Sequence, residues 1–254
     1  MGRTVAVVNQ KGGVGKTTVT LGLASAAWAA GHRVLVVDMD PQASTTWVLG
    51  LDPESVEAGT SELLTRSGKA TPVASAWGDE VSVLPGSRAL QALEHGTGRT
   101  PEQRLRSALA AVEDDYDAVL IDCPPSLGNL TVNALTAAQH VLIVSDPAAL
   151  GLRGIASVAD VIDSVWESSN PDLDLAGVIV NKMPAVSAEA DRRYDELSRS
   201  VGKKAVWQPA IPSRVIINQA IAERRPIHSY GSRAQDLTEA FDKLWAKLRR
   251  RLKA

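Results

Sequence analysis

The feature that most constrains the fold of this chain is the run Lys11-Gly12-Gly13-Val14-Gly15-Lys16-Thr17-Thr18. An apolar stretch, Val5 to Val8, precedes it, and an alanine-rich stretch from Thr17 to Ala30 follows. Strand, glycine loop, Lys-Thr and helix in that order are what a phosphate-cradling loop requires. Glycines let successive backbone N–H groups curl around an anion, and the free N–H groups and positive dipole end of the helix face the same anion. Gly12, Gly13, Val14, Gly15, Lys16, Thr17 and Thr18 are therefore the expected phosphate contacts. Lys16 reaches the outer phosphate oxygens, and Thr17 is placed to ligate Mg²⁺. The common form of the loop, G-x-x-x-x-G-K-[ST], carries one lysine. Here Gln10 stands at the first glycine position and Lys11 supplies a second lysine. Bent inward, Lys11 touches its own phosphates; pointing away, it reaches a nucleotide on another subunit. The plainest reading is a solvated charge.

Apolar, β-rich runs recur at about 3–9, 33–38, 81–85, 117–122, 140–145, 175–181 and 205–208. Most are apolar throughout, as strands buried on both faces are. Helical stretches at 17–30, 101–114, 129–138, 150–167, 189–200 and 233–252 separate most of them. The alternation predicts an α/β fold: a doubly wound, mostly parallel sheet flanked by helices on both faces. Ligands of such sheets bind at the carboxyl ends of the strands, where the glycine loop, Asp38, Asp40 and Asp122 all fall. Residues 1–254 read as one domain with neither repeats nor a low-complexity linker. Region 52–80, with Pro53, Gly59, Gly68, Pro72 and Gly78, reads as short surface helices and loops.

A formal net charge of −2 excludes a globally basic nucleic-acid binder, so any such contact comes from a local patch. One cysteine, Cys123, excludes an intrachain disulfide and a cysteine-rich metal site. A core strand starting near residue 3 leaves no room for a signal peptide, and no apolar run approaches the ~20 residues of a membrane span. A cytoplasmic protein is expected.

Three spaced segments resemble the ParA/MinD family of deviant Walker A ATPases. The glycine run matches its K-G-G-x-G-K-[ST] loop. Val34 to Gln42, ending Asp38-Met39-Asp40-Pro41-Gln42, is similar to its second strand and D-x-D-P-Q segment. Leu120 to Gly128 is similar to its Walker B strand and the segment after it, and Asn129 to Ala138 resembles the ParA branch. The resemblance implies an ATPase with ATP and Mg²⁺ as cofactors. Asp122 then acts on the metal through water, Asp38 supports the same shell, and Asp40 orients the attacking water. Asp122 also reads as a turn or helix-cap residue before Pro124 and Pro125, and Asp38 as a structural carboxylate. The resemblance further implies that Lys11 acts across an ATP-sandwich dimer, so that bound γ-phosphate is linked to dimer stability. Asn181 resembles an adenine-contacting position, its amide offering a donor and an acceptor, although a strand-end turn would also use an Asn. Ile211 and Pro212 resemble the loop over the base. The following I-P-S-R-V-I-I-N-Q-A departs from the family's I-P-R-x-x-x-[LI]-x-E-A, and Ser145 to Gly154 departs as well.

Family members of the ParA branch bind DNA without sequence preference and act with a ParB-like or analogous activator in chromosome or plasmid partition or cargo positioning. The implied protein is therefore nucleoid-associated, and its candidate DNA contacts are Lys203, Lys204, Arg214, Arg224 and Arg225. Lys247, Arg249, Arg250, Arg251 and Lys253 extend the set. The alternative is a MinD-like ATPase that lies on a membrane through a basic amphipathic terminal helix, since Phe241, Leu244, Trp245, Leu248 and Leu252 recur at helical spacing. Continuity of that stripe from Leu237 favours a helix of the domain. Iron–sulfur relatives on this fold need more cysteines than the one present.

Overall fold

The computed structural model describes residues 4–66, 68–95, 102–147 and 151–253. Its strands are β1 (Thr4–Val8), β2 (Val34–Asp38), β3 (Val73–Ser75), β4 (Gly78–Leu84), β5 (Ala118–Asp122), β6 (His140–Ser145), β7 (Asp174–Val180) and β8 (Val206–Trp207). They form one sheet in the order β3-β4-β2-β5-β1-β6-β7-β8. Neighbours are parallel except for β3 and β4, which pair antiparallel at one edge.

Side chains alternate across each strand, so an all-apolar strand feeds two cores. Val5 and Val7 of β1, Val34 and Val36 of β2, and Ala118 and Leu120 of β5 enter one core. Their neighbours Ala6, Val8, Leu35, Val37, Val119 and Ile121 enter the other. The first core is covered by α1 (Lys16–Ala29), α2 (Ser44–Val48), α9 (Ile216–Ala222) and α10 (Gln235–Leu252). The second is covered by α3 (Thr60–Thr65), α4 (Leu90–His95), α5 (Arg104–Leu109), α6 (Asn129–Ala137), α7 (Gly151–Ser168) and α8 (Ala188–Val201). The doubly wound, mostly parallel expectation holds.

Three readings change. The stretch expected to be helical over 101–114 is only α5 followed by a 3₁₀ turn at Glu113–Asp115. Consecutive acidic residues there favour a turn over another helical repeat. Region 52–80 is not mere surface: α3 buries Leu63 and Leu64, and β3 pairs with a β4 that begins before residue 81. The short helices α2, α4 and α9 give too few repeats for a periodic signal. Residues 3, 101 and 150, with which three expected elements open, lie outside the described residues.

The terminal helix packs Leu237, Ala240, Phe241, Leu244, Trp245, Leu248 and Leu252 into the protein. Its apolar face is covered by α1 and the sheet rather than presented outward. The stripe that suggested a membrane-lying helix is thus a core face. Among the described residues no helix is long and apolar enough to cross a membrane.

Candidate functional site

β1 leads directly into the glycine loop, and α1 begins at Lys16. Gly15 caps α1 at φ 93°, in the left-handed region open to glycine at little cost. A Cβ there would also stand 2.1 Å from Asn181 Nδ2, so glycine is needed for packing as well as for conformation. Lys16 is 6% exposed. Burial lowers its pKa, with Asp122, Cys123 and Asp40 pulling the other way. An ammonium desolvated beside carboxylates is suited to an incoming polyanion.

The two strand-end carboxylates face each other across adjacent strands, with Asp38 of β2 in register with Asp122 of β5. Both are fully buried. Burial pushes Asp122 up to about 6, opposed by hydrogen bonds from Thr45 and Thr17 and by the Lys16 charge. Burial together with the Asp122 charge pushes Asp38 up to about 7. Asp122 Oδ2 accepts from Thr17 Oγ1 at 2.7 Å and Thr45 Oγ1 at 2.6 Å, and Oδ1 accepts from Thr20 Oγ1 at 3.4 Å. Asp38, expected beside the metal, instead commits its oxygens to α2 and its own loop. Thr46 donates through N at 2.8 Å and Oγ1 at 2.7 Å, and Asp40 N donates at 3.1 Å. The Asp40 side chain lines the cleft and accepts from Gln42 N at 2.9 Å.

The cleft itself is an open space of roughly 500 Å³ lined by the glycine loop, Lys16, Thr17, Thr18, Asp40, Asn181, Lys182, Pro212, Ser213, Arg214 and α9 residues Ile217 and Asn218. Asn181 directly follows β7 and donates Nδ2 to Val14 O at 2.9 Å. Its Oδ1 is buried with no hydrogen-bond partner among the described residues, an acceptor suited to an exocyclic amino group. Lys182 Nζ donates to Gly13 O at 2.5 Å. Ile211 does not face the cleft: its side chain is fully buried in the core, and it contributes through backbone bonds to Val180 and Met183. Among the described residues no cluster of three His, Cys, Asp or Glu side chains forms a metal cage. A cation here would take Thr17 Oγ1 and phosphate oxygens, the habit of Mg²⁺ rather than of Zn²⁺.

Lys11 is neither bent inward nor merely solvated. Its Nζ pairs with Asp146 at 2.8 Å, just past the end of β6, and it is not among the residues lining the cleft. Thr45, Thr46 and Asp146 escaped sequence reasoning because no spacing rule marks them; only the pairing of distant strands brings them to the loop.

The candidate DNA contacts do not form one patch. Arg214 lines the cleft and pairs with Asp236 at 2.6 Å. Arg224 stacks on Trp47 with 4.2 Å to the ring centroid. Arg225 lies over Tyr230 and near Glu223. These three are engaged within the protein. Lys204, Lys247, Arg250 and Arg251 line one groove with Trp207 beside the β8 edge, where Lys247 lies over the Trp207 ring at 5.0 Å and Arg251 pairs with Asp174 at 2.8 Å, and Lys203 is exposed next to it. Arg249 pairs with Asp117 at 3.9 Å, and Lys253 is exposed at the end of α10.

The model of an AAA domain matches residues 2–175. The chain is 35% identical over 243 residues to the sporulation initiation inhibitor protein Soj of Bacillus subtilis, covering 92% of this chain and 94% of Soj. It is 34% identical to the chromosome partitioning protein ParA of Caulobacter vibrioides, covering 98% and 92%. A Mycobacterium smegmatis structure, described as cobyrinic acid a,c-diamide synthase with bound ATP analogue and magnesium, superposes with a TM-score of 0.82 at 31% identity, covering 100% and 97%. With matched positions running from the glycine loop past the strand-end carboxylates, this chain belongs to the ParA/Soj family of AAA-domain P-loop ATPases.

Proposed function

We propose that this protein, a single domain over residues 1–254, is an ATP-driven switch. It forms an ATP-sandwich homodimer, binds DNA without sequence preference, and is released when an activator stimulates hydrolysis. It would work in the cytoplasm on the nucleoid, in chromosome or plasmid partition or in positioning another cargo. The observation that carries the reading is the division of labour between two lysines on one loop. Lys16 lies buried under the cleft, while Lys11 is turned out to the rim.

Lys16 and the loop N–H groups would hold the β- and γ-phosphates, and the Asn181 Oδ1 would accept from the adenine amino group. Mg²⁺, held by Thr17 Oγ1 and reached by Asp122 through water, would supply charge neutralisation at the phosphates. Asp40 on the cleft wall would orient the attacking water. Lys11, once released from Asp146, would reach the partner's nucleotide, and loss of γ-phosphate would dissolve that contact. A ParB-like activator fits this cycle. The groove of Lys204, Lys247, Arg250 and Arg251 would meet DNA phosphates, with Arg251 leaving Asp174 to do so, in place of Arg214, Arg224 and Arg225.

The test uses Asp40→Ala, expected to bind ATP without turning it over. Its binding to non-specific duplex DNA and to anionic liposomes is compared with ATP and with ADP. ATP-dependent DNA binding that weakens steeply with salt is expected. Liposome binding without DNA binding would replace this reading with a membrane-associated regulator.

A further inference from the structure

The helix α2 is five residues long, yet it is fastened to both strand-end carboxylates. Thr45 and Thr46 are adjacent and fully buried, and they divide the two between them. Thr46 bonds Asp38 through N and Oγ1, and its hydroxyl also accepts from Gly86 N at 2.8 Å. That arrangement is an anchor: it ties α2 to β2 and to the segment after β4. Thr45 bonds the other carboxylate, and it bonds the same Asp122 oxygen that receives the Thr17 hydroxyl. Asp122 Oδ2 is thus held between one donor from α1 and one from α2, at 2.7 and 2.6 Å, while the bond to Oδ1 is long at 3.4 Å.

A carboxylate this deeply buried loses solvation in its charged form, and donated hydrogen bonds are what offset that loss. Removal of one of two short donors would free the group to rotate away from Thr17. We propose that Thr45 is a positioning residue for magnesium: its hydroxyl fixes the Asp122 carboxylate against Thr17 Oγ1 and so sets how tightly the Thr17 site takes a divalent cation together with nucleotide. Thr46, one residue on, serves folding alone. The proposal rests on the reading of the cleft as a Mg²⁺–nucleotide site but not on dimerisation, DNA binding or hydrolysis.

The test is equilibrium binding of a fluorescent ATP analogue, first in EDTA and then across a MgCl₂ titration. Thr45→Val should raise the Mg²⁺ midpoint about tenfold, the scale of one charge-assisted hydrogen bond. Its affinity in EDTA should stay within about twofold, and Thr45→Ser should restore the midpoint. Thr46→Val should lower the melting temperature and leave the midpoint in place. If Thr45→Val disturbs folding, seen as lost binding in EDTA, Thr45→Ala is read instead, being too small to clash. A Thr45→Val midpoint equal to that of the wild type, or equal shifts at Thr45 and Thr46, would overturn the proposal alone. Wild-type nucleotide binding that ignores Mg²⁺ would overturn the reading of the cleft and the proposal with it.

Discussion

Lys11 and Asp146 make the ion pair on which the proposed dimer depends. The lysine is at the rim, its partner carboxylate is mostly shielded, and Nζ reaches both carboxylate oxygens at 2.9 and 2.8 Å. The contact must break before Lys11 can serve a second subunit. A partly exposed pair of this kind contributes up to about 1 kcal/mol in each subunit, so losing both shifts the dimer equilibrium by up to about 25-fold. Asp146→Asn should therefore dimerise with ATP at up to about 25-fold lower protein concentration, as read by sedimentation. Lys11→Ala should bind ATP and stay monomeric. Unchanged or weaker dimerisation of Asp146→Asn would show that Asp146 is no restraint, and an ATP dimer of Lys11→Ala would remove the trans role.

At the scale of elements, α1 is held between the sheet and α10. Its alanines and Gly22 let another helix approach closely: a Cβ on Gly22 would stand 2.1 Å from the Phe241 ring. In an open helix Gly→Ala gains about 1 kcal/mol. Here overpacking should reverse the sign, and Gly22→Ala should lower stability by about 1–3 kcal/mol in urea unfolding. Adding Phe241→Leu should recover part of that loss. A stabilising Gly22→Ala would mean that the two helices separate easily. The same packing explains why the apolar stripe of α10 was legible as periodicity while its destination was not. A stripe against a membrane and a stripe against α1 have the same spacing; contact with Gly22 and the first core decides between them.

For the whole molecule, the sheet order places β5 between β2 and β1, and so brings two carboxylates from distant segments into one buried register. In the folded state each is pushed above the ordinary carboxyl value of 3.8, Asp38 to about 7 and Asp122 to about 6. The native state thus keeps protons that the unfolded chain gives up. This contribution to stability is complete below about pH 4 and is lost as pH rises through 6 to 7. His32, His140 and His228, whose pKa values burial lowers, act in the opposite sense below about pH 6.5. The carboxylate contribution should fall between about pH 4 and pH 7, at up to about 1.4 kcal/mol per pH unit for each proton lost. It is read as the difference between the melting-temperature profiles of the ligand-free wild type and Asp38→Asn, which share the histidines. Asp38→Asn should lack its share of that fall, so that its profile climbs relative to the wild type as pH rises through about 7; parallel profiles would move the titration elsewhere.

The sequence alone determined the sheet class, the glycine loop and the convergence of Lys16, Thr17, Asp40 and Asp122 at the strand ends. These depend on local order: strand, turn and helix follow one another within a few residues, and buried parallel strands must be apolar on both faces. It did not determine what each polar group touches. Asp38 turned from metal to α2, Ile211 from cleft to core, Arg224 from DNA to Trp47, and Lys11 toward Asp146. Such pairings join segments far apart in the chain. They arise only when the strand order closes those distances, because a hydrogen bond or an ion pair is decided within a few ångströms.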